Sequence, residues 1–253
     1  MNRILVTGST GALGRPVADL LQSLGAEVRG LSRRAGQASH QGDLVTGAGL
    51  DAALDGVGTI VHCASDTRAQ GKTDVQSTRH LLDAAARAGH PHVIFVSIVG
   101  VDRIPFPYYR VKFEVEGLIE AYGGTTLRAT QFHDFVLGGA RLAARLPFVP
   151  APDVPVQPIS THDVAARIAE LADAPPAAGR VADLGGPEVL HTPDLFRSYL
   201  QTIGSRRRVV PVRLPGAAFR AFRQGHHLAP GNPSSGERWS GFLESLSGTP
   251  TER

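Results

Sequence analysis

Tyr108 and Lys112 are the two residues of this 253-residue chain whose types and spacing most directly suggest chemistry. Four positions apart, they fall on one face of a helix. An ammonium beside a phenol stabilises the phenolate and lowers the tyrosine pKa, as acid–base work near neutral pH requires. Lysine is scarce here: only Lys72 and Lys112 occur, against 24 arginines. A lysine in so arginine-biased a chain argues that arginine does not serve at that place. Tyr109 is the neighbouring alternative, but it points roughly 100° away around the helix. The bland reading of the pair is a tyrosine and a lysine on a helix surface.

A second set of residues lies at the N-terminus. The stretch Thr7-Gly8-Ser9-Thr10-Gly11-Ala12-Leu13-Gly14 follows an apolar run, and apolar residues then recur at helical spacing (Leu13, Val17, Leu20, Leu21, Leu24). A glycine-rich turn between strand and helix lets backbone N–H groups approach a pyrophosphate, and the helix N-terminus adds positive dipole. Gly8 suits the tight turn, Gly11 the close approach and Gly14 the packing of helix on sheet. The pattern is GxxGxxG rather than GxGxxG, and its strand–turn–helix setting is what separates it from an ordinary glycine-rich turn. The end of the second strand bears on which dinucleotide is bound. A carboxylate there would bond the ribose of NAD. This chain has Leu31-Ser32-Arg33-Arg34 instead, with no acid nearby. A guanidinium such as that of Arg33 can hold a 2′-phosphate through paired hydrogen bonds. The expected cofactor is therefore NADP(H), with Lys112 also able to hold the ribose of the nicotinamide. Asp43-Leu44 follows the next short apolar stretch, where it either borders the adenine or supplies a helix cap.

These groups need a scaffold, and the pattern supplies one. Strands are expected at 3–7, 26–32, 58–63, 92–97 and 125–130. Helices are expected at 11–24, 49–54, 74–88 and 108–122. Such alternation predicts an α/β fold with a doubly wound parallel sheet covered on both faces. The character changes near residue 146. Residues 146–158 hold five prolines and read as irregular and extended. A helix at 161–172 is capped by Ser160 or Thr161. A short strand at 181–185, a helix opening at Thr192-Pro193-Asp194 and a strand at 208–213 follow. The expected division is a nucleotide-binding core at 1–145 and a smaller lobe at 146–253, with segments returning to the core.

Composition bounds the function. Hydrophobic residues make up 42% of the chain, enough for a sizeable core. The single cysteine, Cys63, allows no intrachain disulfide, fits a reducing compartment and reads as buried filler rather than a nucleophile. No signal-peptide pattern and no apolar run near the roughly 18 residues of a membrane span is present. The expectation is a cytoplasmic protein without a membrane partner. Ten histidines lack paired ligand spacing, so no metal site is expected. The net charge is +3, yet residues 196–236 hold seven arginines and no acid. That stretch is either a solvated basic face or a surface for anionic ligands. No nucleic-acid motif accompanies it. The expected partner is a small-molecule substrate, and the chain a monomer or homodimer.

Several segments together resemble a known group. They are TGSTGALG (7–14), LSRR (31–34), GDL (42–44), HCAS (62–65), HVIFVSIVG (92–100), YYRVK (108–112) and LRATQFHDF (127–135), extended by 156–165 and 183–190. The chain is similar to an atypical short-chain dehydrogenase/reductase, of the group related to NmrA-like NAD(P)-binding proteins and isoflavone-reductase-like enzymes. The resemblance implies a Rossmann core with a small C-terminal substrate-binding lobe. It implies that HCAS (His62, Cys63, Ala64 and Ser65) passes under the cofactor and that Thr130, Gln131 and Phe132 lie near the nicotinamide. It also implies a hydroxyl beside the Tyr108–Lys112 pair to polarise a carbonyl. Ser97 stands where that hydroxyl is sought, although Ile98 and Val99 fill the next positions, so Ser97 is either catalytic or structural. His133 either lines the substrate site or bonds at a helix start. The function implied is NADPH-dependent reduction of a carbonyl, quinone or conjugated double bond in a small, partly aromatic molecule. A redox sensor without turnover, or a non-redox lyase, isomerase or cyclase, remains open on the same residues.

Overall fold

In a computed structural model, the described residues are 3–34, 36 and 40–247. The strands in chain order are β1 (Arg3–Thr7), β2 (Glu27–Ser32), β3 (His40–Gln41), β4 (Thr59–His62), β5 (His92–Ile98), β6 (Thr125–Ala129), β7 (Val149–Pro152), β8 (Pro155–Val156), β9 (Gly179–Arg180), β10 (Leu190–His191) and β11 (Val209–Val212). The helices are α1 (Gly14–Ser23), α2 (Leu50–Leu54), α3 (Asp74–Arg87), α4 (Pro107–Tyr122), α5 (His133–Ala143), α6 (Thr161–Asp173), α7 (Thr192–Thr202), α8 (Ala217–Arg223) and α9 (Trp239–Ser247). Among the described residues, no helix is long and apolar enough to cross a membrane.

The chain forms two compact units. The first comprises Met1–Ser97, Phe106–Arg128 and Val164–Ala182. It carries a seven-stranded parallel sheet in the order β3-β2-β1-β4-β5-β6-β9. Strand β4 is buried along its whole length, as a parallel strand covered on both faces must be. The order reverses beside β1, which pairs with β2 on one side and β4 on the other. Loops leaving the carboxyl ends of two such strands diverge and open a crevice, the usual ligand position in open α/β sheets. Thr7 and His62 are register partners at those ends. Leu5, Ile60, Val93, Phe95, Leu81, Val115 and Ile119 pack between the sheet and helices α3 and α4.

Helix α4 is fastened to β6 by a buried ion pair. The Glu116 carboxylate accepts from Arg128 Nε at 2.9 Å and from Nη2 at 2.7 Å. Residues Glu116 and Arg128 are only 8% and 3% exposed. A fork-to-fork pair of this kind fixes orientation as well as distance.

The second unit comprises Ile98–Pro105, Ala129–Asp163 and Asp183–Arg253. Its core gathers Val136, Leu137, Ala140, Leu195, Phe196, Tyr199, Trp239 and Leu243. The proline-rich stretch expected to be irregular instead contributes β7, parallel to β11, and β8, antiparallel to β10. Proline lacks a ladder donor, and two-stranded sheets consist of edges alone, where that loss is tolerated. The strand expected at 181–185 is reduced to single bridges from Leu184 to Ala129 and from Gly185 to Pro233, while β9 forms just before it. Ser160 caps α6: its Oγ accepts from His162 N–H at 3.2 Å.

Removing Glu116 leaves the buried Arg128 guanidinium without its carboxylate. Glu116→Ala is expected to lower the unfolding free energy by about 3–5 kcal/mol. Glu114→Ala, which removes an exposed pair with Arg79, is expected to cost less than about 1 kcal/mol. Urea denaturation of the two variants measures both.

Candidate active site

The glycine-rich loop leaves β1 at Gly8, whose φ of 67° favours glycine. A Cβ on Gly8 would stand 2.9 Å from the Ala64 backbone, so the loops after β1 and β4 touch there. A Cβ on Gly14 would run into the Gly8 carbonyl. Helix α1 therefore begins at Gly14 rather than at residue 11, resting on the loop it follows. Leu13 is buried, while Thr10, Gly11 and Ala12 are exposed. The α1 N-terminus has no side-chain cap and no acid in its first turn. Ser9 Oγ is buried without a hydrogen-bond partner among the described residues. An uncapped helix N-terminus, an acid-free first turn and an orphaned hydroxyl fit a phosphate group.

Below this loop runs a chain of bonds whose polarity can be worked out. Thr78 Oγ1 donates its one proton to the Asp74 carbonyl at 2.8 Å, so it accepts from His62 Nε2 at 3.1 Å. The imidazole is buried and its pKa is lowered to about 3, first by desolvation and then by Lys112, so it is neutral. Its Nδ1 then accepts from Thr7 Oγ1 at 2.7 Å, and Thr7 Oγ1 accepts from Ala64 N–H at 3.2 Å. Only one tautomer of His62 satisfies every member.

The chain of bonds ends on Asp74, a buried carboxylate that gathers several polar groups around it. Asp74 opens α3, and its side chain is 5% exposed. Its Oδ1 accepts from Asp66 N–H at 2.8 Å and its Oδ2 from Ser65 Oγ at 2.5 Å. Lys112 Nζ lies 3.8 Å from the same Oδ2. Ser65 Oγ is also 2.8 Å from Tyr108 Oη. The single Ser65 proton goes to the carboxylate, so Tyr108 is the donor in that contact. Gly71 lets these groups meet, because a Cβ there would lie 3.2 Å from Tyr108 Cδ2 and 3.3 Å from Asp74 Oδ2.

Tyr108 and Lys112 do share one face of α4, and Lys112 Nζ stands 5.7 Å from the Tyr108 ring centroid and 4.9 Å from that of Phe95. The expected lowering of the tyrosine pKa is not what this arrangement produces. Burial pushes the Tyr108 phenol up to about 12, Asp74 and Asp66 add to the rise, and Ser65 opposes it. Lys112 is lowered by burial, against the pull of Asp74 and Cys63. Its charge faces the carboxylate, not the phenol.

The other expected residues fall as follows. Desolvation pushes the Cys63 thiol up to about 12 against the pull of Lys112, which suits filler rather than a nucleophile. Arg33 stands exposed one residue beyond β2. Asp43 Oδ1 accepts from Val45 N–H at 2.8 Å, closing an Asx turn, and Leu44 packs on the first unit's core. Ser97 is buried, and its Oγ has no hydrogen-bond partner among the described residues. Thr130, Gln131 and Phe132 belong to the second unit. There Thr130 Oγ1 accepts from Gly186 N–H and Gln131 Nε2 donates to the His227 carbonyl. His133, in the same unit, is buried against Trp239 and Phe242.

The model of the NmrA-like family matches residues 1–227. The chain belongs to the NmrA-like family. A curated relative of this NmrA-like chain is the chloroplastic divinyl chlorophyllide a 8-vinyl-reductase of Oryza sativa subsp. indica. It is 29% identical over 253 residues, covering 85% of the chain and 62% of the relative. An uncharacterized protein of Mycobacterium tuberculosis is 29% identical over 101 residues, covering 38% of the chain and 12% of that protein. The chain thus spans less than two thirds of the length of these curated relatives. Among solved structures, an NADPH-dependent quinone oxidoreductase of Escherichia coli complexed with NADPH is similar at a TM-score of 0.78 and 19% identity, covering 96% of this chain and 99% of that one. A short-chain dehydrogenase/reductase superfamily protein of Agrobacterium tumefaciens with bound NAD is similar at 0.74 and 22%, covering 97% and 96%. At these identities the likeness is one of fold.

Sequence reading missed Asp74 and Gly71 in the candidate site of this NmrA-like chain, and it noted His62 only as part of the stretch implied to pass under the cofactor. Asp74 carried a signal, an acid at the start of a helix, but that signal is shared by every residue placed there to meet the dipole. The buried imidazole gives the site a pH signature. The native His62 pKa of about 3 lies below the 6.5 or so of an unfolded histidine. The unfolded chain therefore takes up a proton that the native one refuses, and stability falls as pH drops from about 6.5 towards 3, at roughly 1.4 kcal/mol per pH unit. Urea denaturation between pH 7.5 and 4 should give wild type a slope steeper by about one proton than His62→Asn.

Proposed function

We propose that the chain is an NADPH-dependent oxidoreductase that reduces a carbonyl, quinone or conjugated double bond of a small, partly aromatic molecule. One observation carries the reading. The tyrosine and the buried lysine of α4 are bonded, through Ser65 and Asp74, into the loop that touches the glycine-rich turn at Ala64. Proton chemistry and phosphate binding thus adjoin at the switch point of the sheet. The activities for which a vinyl-reductase and a quinone oxidoreductase among similar proteins are named support the reductive direction.

The glycine-rich turn, with Ser9 and the α1 N-terminus, would hold the pyrophosphate, and Arg33 the 2′-phosphate that distinguishes NADP(H). When bound, the nicotinamide supplies the hydride. Tyr108 gives a proton at Oη to the substrate oxygen or carbanion. Lys112, paired with Asp74, offsets the pressure of that carboxylate on the developing phenolate. At a pKa of about 12 the phenol rests protonated near neutral pH, the form in which a proton donor must wait.

A regulator that binds the dinucleotide without turnover is the second reading. It is favoured by the resting bond of the Tyr108 hydroxyl to Ser65, which directs the proton into the protein. A panel of carbonyls, quinones and activated alkenes, followed by NADPH absorbance, separates the two. The reductase reading expects turnover with at least one class, and a fall of about 10²-fold in kcat for Tyr108→Phe. The regulator reading expects no turnover, with binding that survives that change. Cofactor choice has its own test by calorimetry. Arg33→Ala should weaken NADP(H) binding about tenfold, or 1.4 kcal/mol, and leave NAD(H) unchanged; equal losses would refute the assignment to the 2′-phosphate.

A further inference from the structure

Two hydroxyls are candidates for the one that serves Tyr108. Ser97 is the penultimate residue of β5, and its Oγ is buried without a hydrogen-bond partner among the described residues. Ser65 Oγ lies 2.8 Å from Tyr108 Oη and 2.5 Å from Asp74 Oδ2. A serine hydroxyl has one proton and two acceptor sites. While Tyr108 is protonated, the inventory closes in only one way: phenol to Ser65, Ser65 to carboxylate. Once the phenol has lost its proton, Ser65 stands between two anions with one proton to offer. Asp74 already has two other answers, the Asp66 N–H at 2.8 Å and Lys112 at 3.8 Å. The phenolate has the Ser65 hydroxyl at 2.8 Å, while Lys112 Nζ is committed to Asp74 and stands 5.7 Å from the Tyr108 ring centroid.

We propose that Ser65 is a positioning residue whose single proton turns from Asp74 to Tyr108 when the phenol gives up its own, and that it, not Ser97, is the hydroxyl serving Tyr108. This rests on the reading of Tyr108 as the proton donor. The balance is simple. The Tyr108 O–H bond breaks and its proton goes to the substrate oxygen. The Ser65 O–H bond stays intact and rotates about Cβ–Oγ. Asp74 gives up one accepted bond and keeps two contacts. Tyr108 is half-buried, so it regains a proton from solvent, and Ser65 turns back. The direction of the Ser65 effect agrees: its hydrogen bond lowers the tyrosine pKa, whereas Asp74 raises it.

The two residues are therefore expected to act with opposite sign, which a merely structural role would not produce. A fluorinated tyrosine at position 108, whose phenol titrates in a milder range, makes its ionisation measurable by absorbance or fluorine NMR without any substrate. Ser65→Ala should raise that pKa by about one unit, since the phenolate loses its donor. Asp74→Asn should lower it by about one unit. The amide oxygen can keep the Asp66 N–H, while the amide nitrogen donates to Ser65 and frees the serine proton for the phenolate. Ser65→Thr, which restores the hydroxyl, should return the value to that of wild type. In turnover with NADPH, Ser65→Ala should lower kcat about tenfold with KM within twofold, and Ser65→Thr should recover it. Shifts of the same sign in Ser65→Ala and Asp74→Asn, no shift in Ser65→Ala, or a larger shift from Ser97→Ala would each overturn the proposal. Opposite shifts in a protein without turnover would sink the proposed reductase and leave this assignment standing. Turnover without opposite shifts would do the reverse.

Discussion

A carboxylate removed from water must be answered group by group, because desolvation of an ion costs far more than the protein can leave unmet. Asp74 is such a carboxylate, and the candidate site is arranged around the answers it receives. One comes from the backbone at Asp66, one from the Ser65 hydroxyl and one from the Lys112 ammonium. These draw together the loop after β4, the first turn of α3 and one face of α4. The Asp74 carbonyl takes the Thr78 hydroxyl, and from there the bonds pass through His62 to Thr7, at the end of β1. The chemistry and the glycine-rich turn are thus tied to one another by groups that cannot be rotated independently.

The same arrangement explains why a lysine beside a tyrosine does not lower the tyrosine pKa here. The ammonium is 3.8 Å from a carboxylate, and a paired charge acts on third parties as a dipole rather than as a full charge. Burial of the phenol then dominates, helped by the two nearby acids. Lys112 still matters to the balance, since without it Asp74 would press harder on the phenol. Proximity in sequence fixes which side chains share a helix face; the sign of an electrostatic effect depends on everything else they meet.

The legibility of this chain divides along that line. Strands β1, β4 and β5, helices α3 and α4, and the glycine-rich turn follow from local periodicity and from residues with unusual backbone freedom, both of which are written in adjacent positions. Ser65 and Asp74 are nine residues apart and meet only because a left-handed Gly71 folds the intervening loop back on itself. His62 is an ordinary strand residue until its two ring nitrogens are traced to threonines 55 and 16 positions away. The strands β7 and β8 were hidden for another reason: proline argues against strands in wide sheets, and these lie in sheets of two. Ser97 was legible by type and position, and its hydroxyl is buried without a hydrogen-bond partner among the described residues.

The pairing of Glu116 with Arg128 has a consequence for how such a chain can change over generations. Each partner is tolerable in its buried place only while the other is present. A lineage that loses one by a single substitution loses much of the margin that keeps the fold populated. Two apolar residues of similar volume would serve the packing equally well, yet every single-step route to them passes through a destabilised intermediate. Such a pair resists piecemeal replacement, and it holds α4, with Tyr108 and Lys112 on it, in a fixed orientation against β6.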